Sequence, residues 1–319
     1  MKAARLVGPR QFEILDVPVP ELKPGEVLVK METLSICGSD LLAYDRVMPE
    51  EDYPWRIGLP CHECSGVIAE SHDENLQVGQ RVVALTYTGG LMEYAAVPTD
   101  RIVPVPDNID PSLAVLGQPV GTVIHAVQKM GSVLGKTVVV LGQGPIGLTF
   151  TDLIARGGAT KVIVTDPVGY RLDIAKKIGA THTINPTETD VVEAVKEITG
   201  GEMVDFSVEA CGLPETCNQA FQVLKAQGTT IIFGMPHAEP VIAFDWGAMY
   251  YRLPNMIVVN SARSGEVTPA VKTAIELMSQ GKLNPAYMVS HKLPFEEVGK
   301  AYELFSRRQD GAVKVLISV

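Results

Sequence analysis

Residues 137–147, TVVVLGQGPIG, limit what this chain can fold into more than any other stretch. Four apolar residues, Val138 to Leu141, lead into Gly142-x-Gly144-x-x-Gly147, and Leu148 to Ala155 then reads as a helix. Strand, glycine turn and helix N-terminus together make the shape of a dinucleotide site. Gly142 lets the chain turn, and Gly144 leaves room for a pyrophosphate to approach the backbone. Gly147 lets helix and strand pack closely. The helix start offers unpaired N–H groups to negative charge. After the helix, the β-branched run Lys161 to Thr165 ends in Asp166, 22 residues beyond Gly144. A carboxylate there can accept hydrogen bonds from an adenosine ribose, and it would repel a ribose phosphate, so NAD is expected over NADP. Arg171 follows five residues later. An ordinary βαβ unit with incidental glycines is the plainer alternative.

A chain of 319 residues exceeds one typical hydrophobic core, so two domains are the default. The formal net charge of −10 disfavours non-specific binding to nucleic acid or anionic membrane, and no apolar run is long enough to span a bilayer. The N-terminal MKAARLVGPR enters strand-like sequence without the pattern of a secretory signal. Five cysteines, an odd count, do not suggest a disulfide scaffold, and a reducing cytoplasm is the expected location.

Before residue 118 the apolar runs are short and separated by turn signals such as Lys23-Pro24-Gly25-Glu26 and Val78-Gly79-Gln80. They describe a mainly β module, a partly closed barrel. From 118 to 280 the pattern changes to repeated β and α units, the signature of a parallel sheet covered by helices on both faces. This reading puts a helix over Pro214 to Leu224, a strand from Thr229, and a helix from Thr268 to Ser279. The tail, 281–319, reads as a strand from Pro285 to Leu293, a helix from Phe295 to Arg308 and a last strand from Val313.

Two segments of the β module carry chemistry: Cys37-Gly38-Ser39-Asp40 and Cys61-His62-Glu63-Cys64. Thiolate, imidazole and carboxylate are all zinc donors, and a catalytic zinc needs three protein ligands plus an open position. Cys37 and His62 are 25 residues apart, so only the fold can bring them together. Cys61 and Cys64 read most simply as buried thiols, although extended backbone would turn Cys64 to the same side as His62, as a spare donor.

Taken in order, these motifs resemble the medium-chain dehydrogenase/reductase superfamily, in its zinc-dependent alcohol and polyol dehydrogenase branch. The likeness runs through Pro24-Gly25-Glu26-Val27, Cys37-Gly38-Ser39-Asp40, His62-Glu63 with Gly66, and Val78-Gly79 with Arg81-Val82. It continues through Gly142 to Gly147, Asp166, Arg171-Leu172 and Gly179-Ala180. The resemblance implies an α/β Rossmann cofactor domain, 118–280, set in sequence between two parts of a mainly β GroES-like catalytic domain, 1–117 and 281–319. It implies that Cys37 and His62 are zinc ligands and that Glu63 is an acid able to approach the metal. It also implies that Ser39 hydrogen-bonds the substrate hydroxyl and that Asp40 holds the loop or a metal ligand. Gly142, Gly144, Pro145, Ile146, Gly147, Asp166 and Arg171 would bind NAD.

The departures are specific. Cys61 stands where the family writes glycine, and Leu42 where a proton-relay histidine often stands. Gln118 occupies the place of a glutamate that is commonly the third ligand, and a neutral amide oxygen is a weaker donor than a carboxylate. No cysteine occurs from Ser65 to Ala210, so the lobe that carries a structural zinc is absent and at most one zinc is expected. The implied activity is zinc-dependent, NAD(H)-linked interconversion of an alcohol or polyol and its aldehyde or ketone, by a homodimer or homotetramer. The alternatives are a zinc-free quinone or enoyl reductase and a non-catalytic dinucleotide-binding protein.

Overall fold

The computed structural model describes residues 1–319 apart from 47–48, 87–88, 237–240 and 262–266. The chain forms two compact units, one of Met1–Thr122 with Glu266–Val319 and one of Val123–Gly265.

The first unit is built on a mixed seven-stranded sheet. Its centre is the ten-residue strand Glu26–Ser35, EVLVKMETLS, whose apolar residues are buried beside a few polar ones. On one side it pairs antiparallel with Glu63–Ser71 over its whole length. On the other side its first half pairs with Tyr94–Pro98 and its end with Lys314–Ser318. Arg81–Leu85 and Ile102–Pro104 extend the sheet one way, and Val289–Pro294 extends it the other, parallel to Lys314–Ser318. The core beneath it gathers Leu6, Val29, Met31, Leu34, Ile36, Tyr44, Ile68 and Tyr302.

The chain returns to this unit earlier than residue 281. The helix Val267–Ser279 buries Val267, Val271 and Ile275 against Val83, Leu85, Val103 and Val105. Gly117 and Gly121 permit that approach: a Cβ at either would lie 2.6 Å from an Ile275 or Val271 methyl. Helical periodicity shows that this segment has an apolar face but not which sheet receives it.

The second unit is an all-parallel six-stranded sheet. Its order is His182–Ile184, Lys161–Thr165, Thr137–Leu141, Val204–Glu209, Leu224–Ile232 and Asn255–Val258. The order reverses direction between Thr137–Leu141 and Val204–Glu209, the position where doubly wound sheets open a crevice at their carboxyl ends. The strand after the Pro214–Gln222 helix starts at Leu224, five residues before the expected Thr229. Leu224 pairs with Val204, the register then slips, and Gln227 takes φ +60° at the irregularity. In the tail, Pro285–Met288 is a 3₁₀ turn rather than strand, because the Asn284 side chain accepts from the Ala286 N–H and caps it; the strand begins at Val289.

Asp205 ties the start of the central strand of this unit to its neighbours. Its carboxylate accepts from the Thr137 N–H at 2.9 Å and pairs with Lys225, with Lys136 at 3.8 Å. Partial burial pushes the carboxyl up, but Lys225, the Thr137 amide and Lys136 outweigh it and hold it below the usual carboxylate range. A depressed carboxyl stabilises the fold above its unfolded pKa and loses that effect as pH falls through the folded value. Asp205→Asn should therefore cost about 1–2 kcal/mol at pH 7. Thermal melts across pH should show the difference from the parent shrink as pH falls below the usual carboxylate range.

Candidate active site and dinucleotide turn

Strand register solves the problem of the 25-residue gap between Cys37 and His62. Ser35, at the end of one strand, pairs with Glu63, at the start of the next. Cys37 lies two residues past the first strand and His62 one residue before the second, so both emerge at the same end of the sheet. Cys37, His62 and Glu63 each place one donor atom within 4.8 Å of the others. Among the described residues this is the one cluster of metal-donor type. Soft thiolate with imidazole and a carboxylate suits zinc, so the chemistry of the donors fits the ion.

Cys64 does not belong to the cluster. The regular strand starts at Glu63, so its alternation does not extend back through His62. Cys64 is fully buried in the core with its Sγ 3.0 Å from Thr86 Oγ1. Cys61 is buried too, with its Sγ near the Ser35 and Glu63 carbonyls. Hydrogen bonding with Cys64 and burial raise the Cys61 thiol well above the ordinary range, so Cys61 is not a ready thiolate.

Cys37 caps the 3₁₀ turn Gly38–Asp40, and that turn folds Asp40 back on its own start. Asp40 Oδ2 accepts from the Cys37 N–H at 2.9 Å, and Oδ1 lies 3.1 Å from His62 Nδ1. The pairing aims the other ring nitrogen away from the carboxylate, the orientation a metal-binding imidazole needs. Burial works against the His62 imidazolium, but the Asp40 carboxylate and the Cys37 sulfur outweigh it and raise His62 well above an ordinary histidine. A metal ion must therefore displace a proton here.

Two residues that sequence reasoning did not single out complete the surroundings. Lys314, only 2 % exposed, contacts Glu63 Oε2 at 2.6 Å and Oε1 at 2.9 Å and donates to the Ile36 carbonyl at 2.8 Å. Tyr302 donates to Asp40 Oδ2 at 3.3 Å. Both come from the C-terminal segment. A lone lysine inside Val313-Lys314-Val315-Leu316-Ile317 was the available signal for the first. Nothing in the helical pattern set Tyr302 apart from a core aromatic.

Ser39, Asp40 and His62 line a cavity of about 310 Å³ whose other walls include Leu42, Trp55 and Leu59. Gln118, in the same unit, is buried in the first turn of the helix Gly117–Met130.

In the other unit, the glycine turn sits at the point where strand order reverses. Gly142 has φ +92°, and a Cβ there would lie 2.4 Å from Cys211 Sγ on the adjoining strand end. A Cβ on Gly147 would lie 1.8 Å from the Gly142 carbonyl oxygen, so helix and strand could not approach as they do. A Cβ on Gly144 meets nothing within 4 Å. That open side, beside the start of the Pro145–Arg156 helix, fits a pyrophosphate. Asp166 closes the turn: it accepts from the Gln143 N–H at 2.8 Å and the Val168 N–H at 2.9 Å, with Arg171 Nη1 at 3.8 Å. Gln143 is locked in turn, donating to the Gly142 carbonyl and accepting from Thr151.

The glycines separate folding from binding. Gly144→Ala should change stability by no more than about 0.5 kcal/mol. It should weaken dinucleotide binding roughly tenfold, measured by titration calorimetry. Gly147→Ala should instead lose about 3 kcal/mol or more of stability, seen in the melting curve before any binding is tested.

Comparison with known proteins agrees with both halves. Residues 23–107 match the alcohol dehydrogenase GroES-like domain, and residues 145–280 match the zinc-binding dehydrogenase family. The L-threonine 3-dehydrogenase of Pyrococcus horikoshii is 30% identical, the alignment covering 96% of this chain and 95% of that one. The solved 2R,3R-butanediol dehydrogenase of Bacillus subtilis superposes with a TM-score of 0.86 at 25% identity, over 100% of this chain and 99% of that one. An Escherichia coli CFT073 alcohol dehydrogenase (rspB) complexed with NADH superposes with a TM-score of 0.87 at 25% identity, over 100% and 99% of the two chains. With the donor cluster at one strand end and the glycine turn at another, the chain belongs to the zinc-binding, alcohol-dehydrogenase-like medium-chain dehydrogenase/reductase superfamily.

Proposed function

We propose that this zinc-dependent, NAD(H)-linked oxidoreductase interconverts a small alcohol or polyol and its carbonyl form, with Cys37 and His62 as zinc ligands. The meeting of Cys37, His62 and Glu63 within 4.8 Å carries the reading. Gln118 is the proposed third donor, with Glu63 the carboxylate near enough to replace it. When bound, zinc supplies Lewis acidity toward the substrate oxygen and NAD supplies the hydride acceptor. Asp40 fixes the His62 ring, and Lys314 balances and restrains Glu63. Ser39, on the cavity wall beside His62, takes the substrate hydroxyl's hydrogen bond and passes its proton outward. Leu42 offers no group to carry it on, so water is the next acceptor. Gly142, Gly144, Pro145, Ile146 and Gly147 hold the pyrophosphate, and Asp166 with Arg171 orients the adenosine ribose in favour of NAD. The small cavity, walled by Leu42, Trp55 and Leu59, suits a short substrate. Five free cysteines accord with a reducing, cytoplasmic location.

Metal analysis should find one zinc per chain, and a panel of short alcohols and polyols should be oxidised with NAD in strong preference to NADP. Cys37→Ser should remove the zinc and lower kcat/KM by at least about a hundredfold. Zinc-free protein with undiminished turnover, or a preference for NADPH, would overturn the assignment.

The edge of the six-stranded sheet supports a homo-oligomer. The outermost strand Asn255–Val258 leaves Met256 and Val258 more than half exposed, with Leu253 and Tyr251 nearby. An open apolar edge of this kind is suited to pairing with a second copy across a two-fold axis. Light scattering should report a dimer or tetramer that Met256→Lys shifts toward monomer; a monomeric parent would rule this out.

A further inference from the structure

Asp40 is a buried carboxylate, 2 % exposed, held from three directions. Its neighbours are the Cys37 N–H, the His62 ring and the Tyr302 hydroxyl. The first belongs to its own turn and the second to the next strand. The third comes from the helix Val298–Ser306, 262 residues away in sequence. Tyr302 has no exposed surface, and its ring is clamped between Phe12, at 4.8 Å, and Tyr44, at 5.2 Å, centroid to centroid. The ring therefore cannot swing its hydroxyl to another partner, and a buried hydroxyl left without one would be destabilising. The neighbouring Tyr44 belongs to the same ring cluster but sends its hydroxyl to Glu303, away from Asp40.

We infer that Tyr302 is a positioning residue for the metal site, acting through Asp40 on the orientation of His62. Asp40 Oδ2 accepts from both the Cys37 N–H and Tyr302, which leaves Oδ1 directed at His62 Nδ1. Without the hydroxyl, one side of that carboxylate is open and the plane of the His62 ring is less firmly set. Groups that orient a metal ligand commonly govern affinity without touching the metal. The inference rests on the assignment of Cys37 and His62 as zinc ligands.

Tyr302→Phe removes one oxygen and keeps the ring cluster. Zinc affinity, measured by competition with a chromophoric chelator, should fall roughly threefold to tenfold. The visible spectrum of the cobalt-substituted protein should shift. The metal-free protein should melt within a few degrees of the parent. Tyr44→Phe, which trims the same cluster on its other side, should leave zinc affinity and the cobalt spectrum unchanged. In an Asp40→Asn background, Tyr302→Phe should add less than about a twofold effect, because its route to His62 is already altered. Unchanged or tighter zinc binding by Tyr302→Phe overturns the inference, as does an effect that persists in full without the Asp40 carboxylate. If Tyr302→Phe fails to fold, 3-fluorotyrosine at this position alters the donor while keeping the hydroxyl. An unshifted cobalt spectrum then overturns the inference. A parent that binds no zinc overturns the ligand assignment itself, a different result from a parent that binds zinc as well as the variant does.

Discussion

An ammonium group and a carboxylate meet in the interior of the first unit with almost no access to water, and much of the site depends on that contact. Lys314 and Glu63 are 2 % and 1 % exposed at their side chains and stand 2.6 Å apart. Burial disfavours the charged lysine, but Glu63 and the Cys37 sulfur outweigh it, so its ammonium is held above the ordinary range. Removing either partner would strand a buried charge, a loss of about 3–5 kcal/mol in comparable pairs. Lys314 also donates to the Ile36 carbonyl, next to Cys37. One side chain from the last strand thus fixes the ends of two others where the metal donors emerge.

That contact accounts for the order in which the chain is used. Cys37, His62 and Glu63 lie within residues 37–63, but two of the groups that restrain them, Tyr302 and Lys314, arrive after the whole cofactor unit. The site is therefore not a self-contained property of the N-terminal stretch. Antiparallel pairing of Leu316 with Ser35 delivers Lys314, and the helix Val298–Ser306 delivers Tyr302 beside Phe12 and Tyr44. The cofactor unit relies on a different device. There the glycine turn needs only its own strand, its own helix and one carboxylate, Asp166, to close it.

This difference decides how legible each part was. A glycine turn is local: its φ, its close approaches and its helix start follow from eleven consecutive residues, and the following strand supplies Asp166 at a fixed spacing. Cys37 and His62 stood out by residue type and resemblance, yet their meeting depends on the register that opposes Ser35 to Glu63. Cys64 proves the buried thiol that its type suggested, and the alternative of a spare donor beside His62 fails for the same reason. Alternation assigns faces only inside a strand, and His62 lies outside it. The helix Val267–Ser279 shows the limit again, since its apolar stripe fits either sheet and packing against Val83 and Leu85 settles which.

By itself, then, the sequence determined the elements, the two kinds of sheet, the dinucleotide turn and the donor types, because each rests on spacing within a short run of chain. Only the tertiary structure decided which donors converge, that Cys64 faces the core, and that Lys314 and Tyr302 stand behind Glu63 and Asp40. Those are long-range outcomes of strand register and side-chain packing, and a buried charge finds its partner in space rather than along the chain.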